Sequence, residues 1–384
     1  MAISRADEPT TARFLALMGW LRSTLLRRAI TALQYQVNLA HAINAANAAA
    51  LRQGQLHWRD LEGLERHFLT QMMAFPPLGA VQLGNAAGEF VGCMRLASGV
   101  LVVELKDQRT GYHKYAYSVQ GQRASTRRVV GISRHYDPRQ RPWYRRALAN
   151  QRAGWSGTYS FSSSVEPLLG VMATLPVWTE QGKVAAGVLG CDITLVQLSQ
   201  LLATHGDGGV LFIVDGDGWL VASSSLEKPY RIQGQRAERL AANRCGDARI
   251  ELAVEHLLQR NGPLATQASP CQLSYRHQGI LHFVDLQPLR DRRGLKWWVG
   301  LAMDEATVEE RLFAGAGHVR GAFRALVDAE AILDERVERR TAVLAKTLTA
   351  LQRRESRWRL AIQGTGGGVW DWDLTTDEVF YSKQ

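Results

Sequence analysis

Apolar residues recur at helical spacing through Leu25, Ile30, Leu33, Val37, Ala40 and Ile43, within a proline-free stretch rich in Ala, Leu, Arg and Gln. That period predicts one long helix from about Thr11 to Leu51. A second helix is expected from about Leu61 to Met73, ended by Pro76 and Pro77. The pattern then shortens. Val81–Leu83, Phe90–Met94 and Val100–Leu105 are brief apolar runs separated by glycine-containing turns, and Tyr112 to Val119 alternates; all four read as strands. Tyr136 to Asn150 reads as a loop entering a helix, with Pro142 suited to the first turn. Leu168–Val177 and Val184–Cys191 read as a hairpin turning at Glu180–Lys183, after which Asp192 is placed to cap a helix over Leu195–Leu202.

A similar module follows: Val210–Val214, a tight turn at Asp215-Gly-Asp-Gly218, Trp219–Ser223, a helix from about Ile250 to Leu258, then strands at Gln272–Tyr275, Leu281–Leu286 and Trp297–Met303. Strands first, a helix to one side and strands again is the order of an antiparallel α+β sheet. Beyond Asp304, an N-cap with Glu305, Glu309 and Glu310 behind it, the chain reads as helix. Val337, Leu344, Leu351 and Trp358 fall seven apart and Leu348 begins a second seam, but Thr341 and Glu355 interrupt it. The pattern suits a parallel dimeric signalling helix. A last hairpin is expected at Val369–Leu374 and Val379–Ser382. Two strands alone are marginal, so an unfinished domain is expected there. The predicted organisation is a long N-terminal helix (1–60), two sheet modules (61–205 and 206–304), a helical connector (305–360) and a domain start (361–384).

Composition narrows the function. The chain has 384 residues, 46% hydrophobic and 21% charged, with a net charge of +10. This is a folded protein of two or three domains. The positive charge is spread along the chain, without the basic stripe interleaved with aromatics that marks a nucleic-acid binder. Arg22, Arg27 and Arg28 cluster, as one solvated helix face would. Cys93, Cys191, Cys245 and Cys271 have no metal-ligand spacing; the first two read as buried small hydrophobes, and Cys245 and Cys271 as free thiols or a pair. No phosphate loop, HExxH or GxSxG motif occurs, so no enzymatic activity, cofactor or metal is expected. Asp215-Gly-Asp-Gly218 lacks the further ligands of a calcium loop.

Tyr136 to Leu148 (YDPRQRPWYRRAL) resembles the double Cache sensor family, the PDC-like ligand-binding domains of bacterial chemoreceptors, histidine kinases and diguanylate cyclases. Gly154-Trp-Ser-Gly-Thr-Tyr159, Gly187-Val-Leu-Gly-Cys-Asp-Ile193, Phe212–Ser223 and Trp297–Ala302 are similar to later family segments in the same order. The resemblance covers roughly residues 25 to 310. It implies an α+β fold with two PAS-like modules, the membrane-distal one (61–205) holding a ligand and the other (206–304) membrane-proximal. Arg357–Gln363 and Gly367–Leu374 look like the start of a PAS domain.

In the amino-acid-sensing branch the matching ligand residues are Tyr136, Arg141, Trp143, Tyr144, Tyr159 and Asp192, and Phe161 stands where that branch has a further Asp. Arg141 offers a planar fork of donors to a carboxylate, Tyr and Trp offer apolar walls with a polar tip, and Asp192 suits an ammonium. Blander roles stand beside these: Trp143, Tyr144 and Tyr159 as core aromatics, Arg141 as a structural ion-pair partner, Asp192 as a helix cap. The resemblance implies an inner-membrane protein with a periplasmic sensor, acting as a homodimer on an amino acid or small carboxylate. Yet no apolar stretch is long enough to span a bilayer, and Arg311, His318, Arg320, Arg324 and Asp328 occupy the place of the second span. That leaves a cytoplasmic variant, an engineered fragment, or a membrane protein whose spans were removed or lost. The expected function is the ligand-sensing input region of a bacterial signal-transduction protein, passing its signal through a dimeric helix to a PAS or other output domain; the alternatives are a dimerisation or interaction scaffold with a degenerate pocket, and the sensor part of a diguanylate cyclase or histidine kinase whose catalytic domain lies beyond residue 384.

Overall fold

The computed structural model describes residues 8–119, 128–161, 165–179, 185–206, 208–234, 236–267, 269–312, 370–373 and 378–381. The chain divides into two compact units, Met1–Leu312 and Phe313–Gln384.

Helix α1 (Glu8–Arg52) has 45 residues, about 67 Å at 1.5 Å per residue. Its buried stripe is Met18, Leu25, Leu26, Ala29, Leu33, Val37, Ala40, Ile43 and Ala48; Ile30, expected in it, is half-exposed and Ala29 takes its place. Helix α2 (Leu61–Ala74) starts at Asp60, whose side chain accepts from the Gly63 N–H, and buries Leu64, Phe68 and Met72.

The first sheet comprises β1 (Ala80–Asn85), β2 (Phe90–Arg95), β3 (Leu101–Lys106), β4 (Lys114–Ser118), β5 (Arg128–Ser133), β6 (Gly154–Ser160), β7 (Leu169–Trp178) and β8 (Ala185–Thr194). Its order is β5-β4-β3-β2-β1-β8-β7-β6, antiparallel at every step. Helix α3 (Pro142–Asn150) follows a short 3-10 turn at Pro138–Gln140. Helix α2 packs on β1 and β2, α1 on β7 and β8, and α3 on β6, β7 and β8.

Asp192 does not cap the next helix. It lies in β8, paired with Ala80 and Met172. The cap of α4 (Leu195–Ala203) is Thr194, in a reciprocal capping box with Gln197. A threonine two residues on, followed three later by glutamine, satisfies two backbone donors where Asp192 would satisfy one.

The second sheet comprises β9 (Val210–Asp215), β10 (Leu220–Ser223), β13 (Cys271–His277), β14 (Ile280–Arg290) and β15 (Lys296–Asp304), in the order β10-β9-β15-β14-β13. A separate hairpin, β11 (Tyr230–Gln233) and β12 (Arg236–Arg239), precedes α5 (Ala248–Asn261). Helix α5 buries Ile250, Ala253, Val254 and Leu257 against Val210, Phe212, Val284 and Trp298. At the β9–β10 turn the Asp215 carboxylate accepts from the Asp217 and Trp219 amides and pairs with Arg239. Helix α6 (Glu305–Leu312) begins at Asp304, which accepts from the Thr307 N–H.

No disulfide joins the four cysteines, and Cys245 is buried, as are Cys93 and Cys191. Among the described residues no helix is long and apolar enough to cross a membrane. In the second unit β16 (Trp370–Asp373) pairs antiparallel with β17 (Glu378–Tyr381). The heptad positions 337–358 and the turn at 180–183 lie outside the described residues.

Arg22 departs from the solvated-face expectation. Its Nε donates to Asp285 Oδ2 at 2.6 Å, with side chains 11% and 2% exposed, and its guanidinium lies 4.6 Å from the Phe283 ring centre; Arg27 and Arg28 are exposed. Removing one partner leaves a buried charge uncompensated. Arg22→Ala is expected to cost about 3–5 kcal/mol in denaturant unfolding, whereas Arg22→Met with Asp285→Leu costs far less. Equal losses in the two variants would show that hydrocarbon contact, not charge, holds the helix.

Candidate functional site

The site lies on the face of the first sheet that carries α3. Asp137 caps the 3-10 turn by accepting from the Arg139 N–H at 2.9 Å, and Pro142 fixes the first turn of α3 with Arg141 at its N-cap. This places Tyr136 and Arg141 over the sheet. A small cavity there, about 30 Å³, is lined by Tyr136, Arg141, Tyr159, Phe161 and Asp192. It is also lined by Ala80, Gln82, Phe90, Met94, Glu104 and Lys114, none of which was expected from the sequence.

Asp192 is 2% exposed. The Tyr159 hydroxyl donates to its Oδ1 at 3.1 Å. Burial pushes its pKa well above the usual carboxylate range, and the charge of Glu104 adds to the rise. The Tyr159 hydrogen bond and the Arg141 charge oppose it without cancelling it. Burial likewise pushes the Tyr136 and Tyr159 hydroxyls up. Arg141, half-buried, donates from one Nη to the Ser160 carbonyl at 2.8 Å, and its guanidinium is 6.0 Å from the Tyr159 ring centre. Four of the five N–H donors of a guanidinium remain for another acceptor. Phe161, also half-buried, packs at 5.2 Å from the Tyr159 ring and against Ala80, Met94 and Leu168.

Trp143 and Tyr144 do not line the cavity. They are 1% and 3% exposed and pack with Phe90, Ala147, Met172 and Val188 behind Tyr136. Trp143 and Tyr136 share this buried cluster, so Trp143 backs a lining residue. The motif thus places one segment's aromatics in two layers, one facing the cavity and one supporting it.

Glu104 and Lys114 form a buried ion pair at 2.7 Å, with side chains 7% and 3% exposed. The Lys114 ammonium also sits 4.4 Å above the Tyr136 ring centre. They stand on neighbouring strands, in alternating sequence where charged residues read as the solvent face. Only the pairing of β3 with β4 reveals them.

The chain is thus an α+β protein, a long helix followed by two antiparallel sheets, with a charged and aromatic cavity on the first. No protein-family profile matches it. It is similar in sequence to methyl-accepting chemotaxis proteins. PctB of Pseudomonas aeruginosa is 22% identical over 174 residues, 44% of this chain and 23% of that protein. McpA of Pseudomonas putida is 35% identical over 96 residues, 24% of this chain and 14% of that protein. The chain therefore spans less than a quarter of the length of these curated relatives. Among solved structures, the sensory domain of the Campylobacter jejuni chemoreceptor Tlp3 with isoleucine bound aligns at a TM-score of 0.49. It is 12% identical, with 80% of this chain and 99% of that one covered.

The raised pKa of Asp192 has a signed consequence. Unfolded, its carboxyl titrates near about 4; folded, it keeps its proton to higher pH. The folded state then binds more protons, so this group's contribution to stability is full below about 4 and is lost as pH rises through the folded value. Asp192→Asn keeps the neutral form at every pH. Its melting temperature is expected to match wild type at pH 4 and exceed it increasingly towards pH 8; parallel curves would show that Asp192 is ionised in the folded protein.

Proposed function

We propose that this chain is the ligand-sensing input region of a bacterial signal-transduction protein, of the double Cache type, and that it binds an α-amino acid in the cavity of the first sheet. The observation that carries the reading is the convergence of Arg141, Asp192 and Tyr159 on one small cavity. A guanidinium with unused donors matches a carboxylate. A buried carboxylate beside it matches an ammonium. An aromatic wall between them excludes water and strengthens both contacts. The similarity to chemotaxis proteins supports the same class.

The mechanism follows from the volume. A cavity of about 30 Å³ holds one water molecule, so an amino acid fits only in a second arrangement in which the half-buried Phe161 and Arg141 have moved. A ligand with greater affinity for that arrangement shifts the population towards it. The signal then passes through α1 and the helix that starts at Glu305 towards an output domain, with the β16–β17 hairpin as the start of a PAS domain. Chemotaxis is the output that the sequence relatives favour over a kinase or cyclase. Pairing of two chains along the 305–360 connector and anchorage in the inner membrane belong to the same reading.

Isothermal titration of the purified chain with α-amino acids, and with the corresponding carboxylates lacking the amino group, tests the site. Saturable binding is expected for the amino acids. Arg141→Ala, with unchanged circular dichroism, is expected to weaken it by at least about 2 kcal/mol, roughly 30-fold. Unchanged affinity in that variant, or equal affinity for the carboxylates, would remove the assignment.

A further inference from the structure

Recognition of an α-amino and α-carboxylate group uses Arg141, Asp192 and Tyr159 and leaves the Glu104–Lys114 pair without a part. Stability does not account for the pair. Two charges taken out of water lose hydration that their mutual attraction only partly restores, and apolar replacements of such pairs are often neutral or stabilising. This pair also faces the cavity.

The sheet sets its distance from the other charged end. Glu104 on β3 is opposite Gly92 on β2, Gly92 opposite Gln82 on β1, and Gln82 opposite Gly190 on β8. Asp192 follows Gly190 by two residues and so shares its face. Two strands, β2 and β1, separate β3 from β8, which puts the strand axes about 14 Å apart. The glycines of the row between make room for larger neighbours: Gln82 and Phe90 lie over Gly92, and Met172 and Gln82 lie over Gly190. Asp192 lines the cavity from β8, and Glu104 and Lys114 line it from β3 and β4, with Gln82 and Phe90 also in its wall.

We infer that Glu104 and Lys114 form the side-chain end of this pocket and select α-amino acids whose side chain ends in a neutral carboxamide. The inference rests on the reading that Arg141 and Asp192 hold the amino acid's backbone groups. The pair presents an acceptor and a donor 2.7 Å apart. A primary carboxamide presents one acceptor oxygen and one donor nitrogen in the same plane, so it accepts from the Lys114 ammonium and donates to the Glu104 carboxylate. An anionic side chain meets Glu104, and a cationic one meets Lys114. An aliphatic side chain buries both charges against hydrocarbon with no hydrogen bond in return, and a site built from buried polar groups rejects such an analogue strongly.

Calorimetric titration of the purified wild-type chain with L-glutamine, L-asparagine, L-norleucine, L-glutamate and L-lysine tests this. One of the two amides is expected to bind at least about tenfold more tightly than the other three compounds, a difference of 1.4 kcal/mol. In a Glu104→Leu, Lys114→Met double variant, which leaves neither charge alone, the order is expected to reverse in favour of norleucine. If wild type binds norleucine, glutamate or lysine as tightly as the better of the two amides, the inference is overturned while the amino-acid site stands. If the folded double variant still prefers the amide, the inference is likewise overturned. If none of these amino acids binds, the underlying reading falls and takes this one with it. Should the double variant not fold, the wild-type series decides alone.

Discussion

The two sheets of the first unit share one helix, and the buried polar contacts along it fix their relation. Arg22 ties the N-terminal half of α1 to Asp285 on β14, while Asn44 donates to the Ala173 carbonyl of β7 at 2.7 Å. Apolar contact along a helix tolerates sliding; a buried ion pair and a buried amide do not, because each leaves an unsatisfied group if the register changes. Between the two anchors, His41 sits edge-on to Trp155 at 4.7 Å, and the Trp155 indole donates to Asp291 at 2.7 Å. Helix, first sheet and second sheet therefore meet at one junction. Burial, with the nearby Arg293 charge, lowers the His41 pKa to about 4, which keeps the ring neutral across the physiological range and the junction free of an added charge.

Much of this architecture was legible in the sequence because it rests on periodicity. The 3.6-residue stripe of α1 and the short apolar runs of β1 to β4 are local properties, and their boundaries moved by a few residues at most. β5, β11 and β12 were not legible. Arg128–Ser133 and Tyr230–Arg239 carry mixed and exposed residues, and their strand character comes from the neighbours they pair with. The sequence offers Asp192 both a ligand role and a cap role, the latter because a polar residue before an apolar helix usually caps it. The better box formed by Thr194 and Gln197, two residues on, leaves Asp192 in the strand and turns it to the cavity.

The candidate site divides along the same line. Tyr136, Arg141, Tyr159, Phe161 and Asp192 could be placed from motif order alone, since a turn, a proline-started helix and two strands fix them. For Trp143 and Tyr144 the motif leaves a ligand role and a core role side by side; both lie in the first turn of α3 and pack in the buried cluster behind Tyr136. Glu104, Lys114 and Gln82 escaped because a single charged or amide residue in an alternating strand carries no local mark of burial. Arg22 escaped for the same reason. Each buried charge finds its partner across many residues of sequence, and such pairing exists only once the sheets are assembled.

The position of Asp192 links the cavity to the second sheet. Its carboxyl keeps its proton to unusually high pH, so holding an ammonium, as proposed, would require ionisation and would change the charge at the end of β8. Two residues on, Thr194 caps α4. Helix α4 packs on β10, where the Ser223 N–H donates to the Ser199 hydroxyl at 3.1 Å. From Asp192 to the second sheet the path is thus one strand end, one capping box and one short helix. Phe161 closes the other side of the same cavity. A carboxylate there would give Asp192 a charged neighbour and raise its pKa further, whereas the aromatic ring adds no charge beside it.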